Sequence, residues 1–229
     1  MKISHDRGDT WSDASLLAGE AGMMVRNRPI VLTSGDYLLP VYHETGEDRE
    51  AVGPQSTSRF LRFNPATRQW SASGIIRSKK GNIQPAPVEI APRHLVAYWR
   101  RGGGYGPVTD GYIVRAESRD GGETWTEGQD SAFPNPNSAI DFLKLRNGHL
   151  LLVYNHSMSQ RTPLRVAIST DGDKTYPRWR DIATGANSFA YPIAIELRDG
   201  RIAVLYTSHS RTQINLTTFR EEDIAAPRN

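Results

Sequence analysis

Four stretches of this chain repeat one another, and no other feature restricts the fold as much. They are RPIVLTSGDYLLPVYHE from Arg28, QPAPVEIAPRHLVAYWRR from Gln84, NSAIDFLKLRNGHLLLVYNH from Asn137 and YPIAIELRDGRIAVLYTS from Tyr191. Each reads as a short apolar strand, a turn, and a second strand with a tyrosine near its end. Those tyrosines, Tyr42, Tyr98, Tyr154 and Tyr206, are spaced 56, 56 and 52 residues apart. A third strand follows in each unit: SRFLRF, YIVRAES, LRVAIS and QINLTTF. Ser34-Gly35-Asp36, Asn147-Gly148 and Asp199-Gly200 supply turn residues that tolerate positive φ, whereas Ala91-Pro92-Arg93 in the second unit requires a different turn. Helical periodicity is nearly absent, with one turn of helix expected around 220–224. Units of this length with about four strands predict an all-β fold, a β-propeller with repeats at about 25–75, 80–130, 135–182 and 188–220. A β-sandwich offers similar strands but no fixed period.

A second motif closes the units. SHDRGDTW (4–11), SRDGGETW (118–125) and STDGDKTY (169–176) are versions of one Ser-x-Asp turn that ends in Thr and an aromatic residue. The aspartate accepts hydrogen bonds from the turn's own N–H groups, and the aromatic ring folds back over apolar surface. The first unit keeps only the turn and Trp70. A calcium loop needs alternating acids and a distal glutamate, which these turns lack.

Composition removes other classes. The longest apolar runs are five residues, far below the roughly 18 of a membrane span. The start, MKISHDRGDTW, lacks a secretion signal's basic-then-apolar pattern, and the compartment stays undecided. With no cysteine there is no disulfide scaffold, thiolate zinc site or cysteine nucleophile. The net charge of +3 is spread singly or in pairs among acids, not in the stripe that nucleic acid requires. No cofactor or metal motif is present: there is no glycine-rich phosphate loop and no HExxH.

Repeated turns of this kind, known as Asp-boxes, together with RNRPIVL, LLPVYHE, PNPNSAIDFLKLRNGHLLLVYNH and TPLRVAISTDG, resemble the sialidase (neuraminidase) superfamily and its BNR-repeat proteins. The likeness to the predicted-neuraminidase branch covers essentially the whole chain. It implies a six-bladed sialidase-type propeller, of which this chain is expected to be an arc of about four blades plus a leading strand. Residues 1–20 are then the tail of a preceding blade. About two N-terminal blades of the family pattern are expected to be missing, and the fragment is expected to be inactive.

Strand direction puts first-strand starts and second-strand ends at one mouth, with the Asp-boxes at the other end. The mouth then gathers Arg28, Gln84, Asn137 and Tyr191 with His43-Glu44, Arg100-Arg101, Asn155-His156 and Ser208-His209. Arg101, Ser208 and His209 are read as ordinary strand ends. The resemblance implies that Tyr191 is the nucleophile and that Arg100 clamps the carboxylate of an acidic sugar. A phenol suits the first role because a carboxylate nucleophile is repelled by the sugar's own carboxylate, and a planar guanidinium suits the second. Arg28 is a weaker ligand contact. Gln84 stands where the resemblance implies a tyrosine-activating glutamate, and Asn155-His156 where it implies a further arginine. Glu44, His43 or His156 could serve as the base instead. Asp141 reads equally as a paired internal acid or a catalytic one. The implied partner is an acidic carbohydrate and the leading activity a sialidase-like glycoside hydrolase. A uronate lyase and a noncatalytic carbohydrate-binding propeller are the alternatives.

Overall fold

A computed structural model describes residues 1–17, 20–44, 52–104 and 106–224. They form four antiparallel sheets in chain order. The first contains β1 (Met23–Met24), β2 (Ile30–Val31), β3 (Tyr37–His43), β4 (Thr57–Asn64) and β5 (Gln69–Ala72). The second runs β6 (Asn82–Ala91), β7 (His94–Arg101), β8 (Tyr112–Ser118) and β9 (Gln129–Pro134). The third runs β10 (Asp141–Lys144), β11 (Leu150–Asn155), β12 (Leu164–Ser169) and β13 (Arg178–Ala183). The fourth has β14 (Ala190–Glu196), β15 (Ile202–Ser208) and β16 (Gln213–Phe219). Each is a blade whose first strand lies innermost, so the architecture is the propeller fan that the repeats predict. A 3-10 turn at Glu221–Asp223 ends the described chain.

The core is divided among the gaps between blades. Phe60, Trp99 and Val114 fill the first gap, Tyr98, Phe142 and Tyr154 the second, and Val153, Val166, Val204 and Tyr206 the third. Side chains alternate across a strand, so Tyr154 packs toward the second blade while its neighbour Val153 packs toward the fourth. A strand buried on both faces reads as a continuous apolar run, which explains LLLVY. The fourth blade differs. Ala194, Val204 and Tyr206 pack inward, whereas Ile193, Ile195, Leu205, Ile214 and Leu216 on its other face are exposed.

The Asp-boxes share one geometry. Asp6, Asp120 and Asp171 each accept the Thr backbone N–H four residues on, at 2.9, 3.0 and 2.9 Å. Ser4, Ser118 and Ser169 donate to the same carboxylates at 2.7, 2.7 and 2.8 Å. Trp125 stacks 4.5 Å from Phe60, and Tyr176 sits edge-on 5.0 Å from Phe133, covering the gaps as expected. Trp11 departs from that expectation. It remains 59% exposed, because no described sheet lies against it. The third box also places Asp173, at φ 76°, where the other two have glycine. Its carboxylate accepts Tyr98 Oη at 2.8 Å, Tyr176 Oη at 2.6 Å and Arg115 Nε at 2.8 Å, binding the second blade to the third.

Turns at the same end join blades by another route. Glu89 accepts the Thr33 N–H at 2.6 Å, and Glu196 accepts the Arg146 N–H at 2.7 Å. Lys144 donates to the Glu89 and Ile90 carbonyls between them. The second unit's turn differs as its sequence requires. Arg93 takes the positive φ of 65°, and its N–H donates to Glu89.

Candidate functional site

Three first-strand starts have an unusual backbone. Gln84, Asn137 and Tyr191 have φ of 58°, 57° and 53°, and the ladder slips beside two of them, between Ile83 and Ala86 and between Ala190 and Ile193. A left-handed L-residue costs roughly 1–2 kcal/mol, so three at one repeat position mark a rim that the surrounding packing holds against strain. Arg28, the fourth position of the set, is not left-handed.

Two guanidiniums converge on Asn137. Arg100 Nε donates to its Oδ1 at 2.8 Å, and Arg161 Nη2 donates to its carbonyl at 3.3 Å. The Asn137 amide donates in turn to the Gly103 carbonyl at 2.7 Å. Around the Tyr191 ring, the guanidinium carbons of Arg26, Arg161 and Arg211 lie 5.9, 5.9 and 5.4 Å from its centroid. Burial lowers the Arg161 pKa, as do the like charges of Arg100 and Arg211, with Tyr191 opposing. Burial also lowers that of Arg26, against the pull of Asp141, Tyr191 and Tyr42. Both remain cations at any ordinary pH.

Residues 26–28 tie the rim together. Arg26 Nη1 donates to the Ile140 carbonyl at 2.9 Å and Nη2 to the Pro192 carbonyl at 2.7 Å, reaching the third and fourth blades. Asn27 donates to the Gln84 and Pro85 carbonyls of the second at 3.1 and 2.7 Å. Arg28 pairs with Asp141 at 3.2 Å. Asp141, 2% exposed, also accepts the Ala194 and Phe142 N–H groups at 2.7 and 3.0 Å. The polar groups of these residues are thus spent across the axis, so the first blade's inner edge is split into β1 and β2.

The other candidates have distinct settings. Gln84 is 6% exposed, and its Oε1 has no hydrogen-bond partner among the described residues. Burial raises the Tyr42 pKa, helped by the Glu44 charge and opposed by Gln84, Arg100 and Arg26. His43 lies 3.0 Å from Glu20, which also pairs with Arg59. Asn155 is wholly buried, accepting Ser138 Oγ at 2.7 Å and donating to the Phe189 carbonyl at 3.1 Å. His156 hydrogen-bonds Tyr154 at 3.0 Å, and burial lowers its pKa, the nearest charges being Arg165 and Asp181 of the blade's outer strands. The structure therefore brings Arg100, Asn137 and Tyr191 together, with Gln84 and Glu44 both acting on the Tyr42 pKa. It sets His43 and His156 among other partners. Arg101 is buried, donating to the Asn135 and Gly102 carbonyls at 2.7 Å each.

Sequence reasoning missed Arg26, Arg161 and Arg211. Two had a signal: SQRTP (159–163) and SRTQ (210–213) carry Arg-Thr in corresponding connections from second strand to third. Such connections lie at the mouth, just beyond the second-strand ends. Among the described residues no three His, Cys, Asp or Glu side chains are grouped to hold a metal.

No curated protein matches the sequence. Among solved structures, the Hadza microbial sialidase Hz136 superposes with a TM-score of 0.76 at 17% identity, covering 98% of this chain and 44% of that one. The intramolecular trans-sialidase from Ruminococcus gnavus, solved with oseltamivir carboxylate, gives 0.76 at 18% identity, with 99% and 51% covered. The NanB sialidase from Streptococcus pneumoniae gives 0.75 at 18%, with 98% and 36% covered. The chain thus spans about half or less of the length of these structures, and the likeness is one of fold. A family model described as a BNR repeat-like domain matches residues 1–204, and with it the chain belongs to that family, on the sialidase-type propeller.

Proposed function

We propose that the rim around Tyr191 binds the carboxylate of a terminal acidic sugar and that this propeller serves a sialidase-like glycoside hydrolase. The supporting observation is the convergence of Arg100 and Arg161 on Asn137 beside a tyrosine flanked by guanidiniums. A carboxylate has two oxygens for such forks to hold, and burial keeps water from screening the attraction. With the carboxylate held there, Tyr191 lends its phenol oxygen to the anomeric carbon as the glycosidic oxygen leaves, taking a proton from solvent water. The phenol's own proton passes to a base, and water later takes the phenol's place. Glu44, one residue beyond the end of β3, is the candidate base.

Binding is the direct test for the 229-residue chain. An acidic monosaccharide should bind and its neutral counterpart should not, and Arg161→Gln should weaken that binding at least tenfold. Where turnover of an acidic-sugar glycoside is measured, Tyr191→Phe should abolish it; turnover that survives removes Tyr191 from the mechanism. Gln84 favours a second reading, binding without hydrolysis, because an amide cannot act as a base. Gln84→Glu separates the two: release that appears only in the variant assigns the native chain to binding.

A further inference from the structure

Next to Tyr191, outside the Arg100–Asn137 pair, lies a cavity of about 430 Å³ lined by Pro136, Ser159, Arg161, Ser188, Ser210 and Arg211. Among the described residues its lining presents two guanidiniums, three hydroxyls and no acid. The charged groups acting most strongly on Arg161 are two further guanidiniums, Arg100 and Arg211. The cavity's own cations, Arg161 and Arg211, meet no carboxylate in its lining among the described residues, and like charges so gathered repel each other unless an anion is bound between them.

The backbone also bears a cost at this place. His209, Ser210 and Arg211 have φ of 49°, 54° and 72°, three left-handed residues in succession and none of them glycine. Ordinary residues visit that region singly, not in runs. The turn is held by Thr212, whose N–H and Oγ1 donate to the His209 carbonyl at 3.1 and 2.7 Å. Asn187 Oδ1 anchors it from the neighbouring loop by accepting the His209 N–H at 3.0 Å. The result is a rigid turn that brings the Arg211 guanidinium carbon within 5.4 Å of the Tyr191 ring centroid. A flexible surface arginine needs no such support.

We propose that this cavity is a second oxyanion subsite, which receives a sulfate ester or a further carboxylate carried by the same acidic-sugar ligand. The assignment rests on the acidic-sugar reading above and extends it: the preferred ligand is doubly anionic. Arg211 and the serine hydroxyls hold the second group, while Arg100 and Arg161 hold the first. Arginine and hydroxyl donors around an acid-free cavity suit either oxyanion, since both present several acceptor oxygens.

Titration calorimetry on the 229-residue chain tests this with three probes: 3′-sialyllactose, its 6-sulfated form and its disialylated form. At least one dianionic probe should bind ten times more tightly than 3′-sialyllactose, and which one does so distinguishes a sulfate from a carboxylate. Arg211→Gln should erase that gain, costing the tighter dianionic probe at least five times more affinity than it costs 3′-sialyllactose. The gain should also shrink as salt is raised from 50 to 300 mM, by about the steepness expected of one added ion contact. Equal affinity for all three probes overturns the second subsite and leaves the acidic-sugar reading standing. So does an Arg211→Gln variant that weakens all three alike. Failure of all three to bind overturns both.

Discussion

At the scale of single residues, Asp173 shows how a departure from a repeat acquires a purpose. Its place in the turn belongs to glycine in the other two boxes, so its left-handed backbone carries a cost that glycine avoids. In return a carboxylate 1% exposed gathers two phenols and a guanidinium. Burial comes first in pushing both phenols well above their ordinary range, followed by the charge of Asp173 for Tyr98 and by Tyr98 and then Asp173 for Tyr176, so both remain donors. Asp173→Gly relaxes the backbone but strands two buried hydroxyls and leaves Arg115 its longer pairing with Glu117 at 3.5 Å. We expect a net loss of about 2–3 kcal/mol, read from urea unfolding. At the same scale, the place of Tyr191 at the rim was legible because it opens a repeat. Arg26 was not, because its role depends on reaching carbonyls more than a hundred residues away, and sequence spacing does not encode that reach.

Among elements, the Asp-boxes were the most legible, since their hydrogen bonds close within eight residues. Their acidity makes them sensitive to pH. Asp6 is held down to about 2, first by the Thr10 hydroxyl, then by its N–H and by Ser4. Asp171 is lowered further by the same set, led by Thr175. In Asp120 burial raises the pKa, but hydrogen bonds from Thr124 and Ser118 outweigh it. A carboxyl group more acidic when folded than when unfolded contributes stability above its unfolded pKa of about 4. That contribution is lost as pH falls through the folded value. The melting temperature should therefore hold from pH 7 to about 5 and fall from about 4 downward, and Asp171→Asn should flatten the acid limb. A melting curve unchanged between pH 5 and 2 contradicts this. The inner edge of the first blade was the least legible element. RPIVLTS reads as a strand like its three counterparts, yet Pro29 lacks an N–H and the residues before it bond across the axis instead of along a ladder.

For the whole molecule, the number of blades followed from period alone, whereas the manner of their joining did not. Adjacent blades share apolar gaps, but the first is also fastened to the third and fourth through Arg26. Hydrogen bonds to a charged donor contribute about 1.5–3 kcal/mol each. Arg26→Ala should lower the unfolding free energy by about 2–4 kcal/mol. It should also speed amide exchange together in residues 23–31 and 190–195, although these segments are far apart in sequence. Faster exchange in the first segment alone would show that the tie does not couple the blades.

The open face of the fourth blade bears on handling. Ile193, Leu205 and Leu216 lie side by side in register across three strands, and Ile214 is 78% exposed. Such a surface gains by losing water to almost anything greasy, so solubility, not unfolding, sets the ceiling on the concentration at which the isolated chain can be kept. Mild detergent or a lysine at position 205 or 216 is the remedy the geometry recommends, because both act on a face that makes no contribution to the rim.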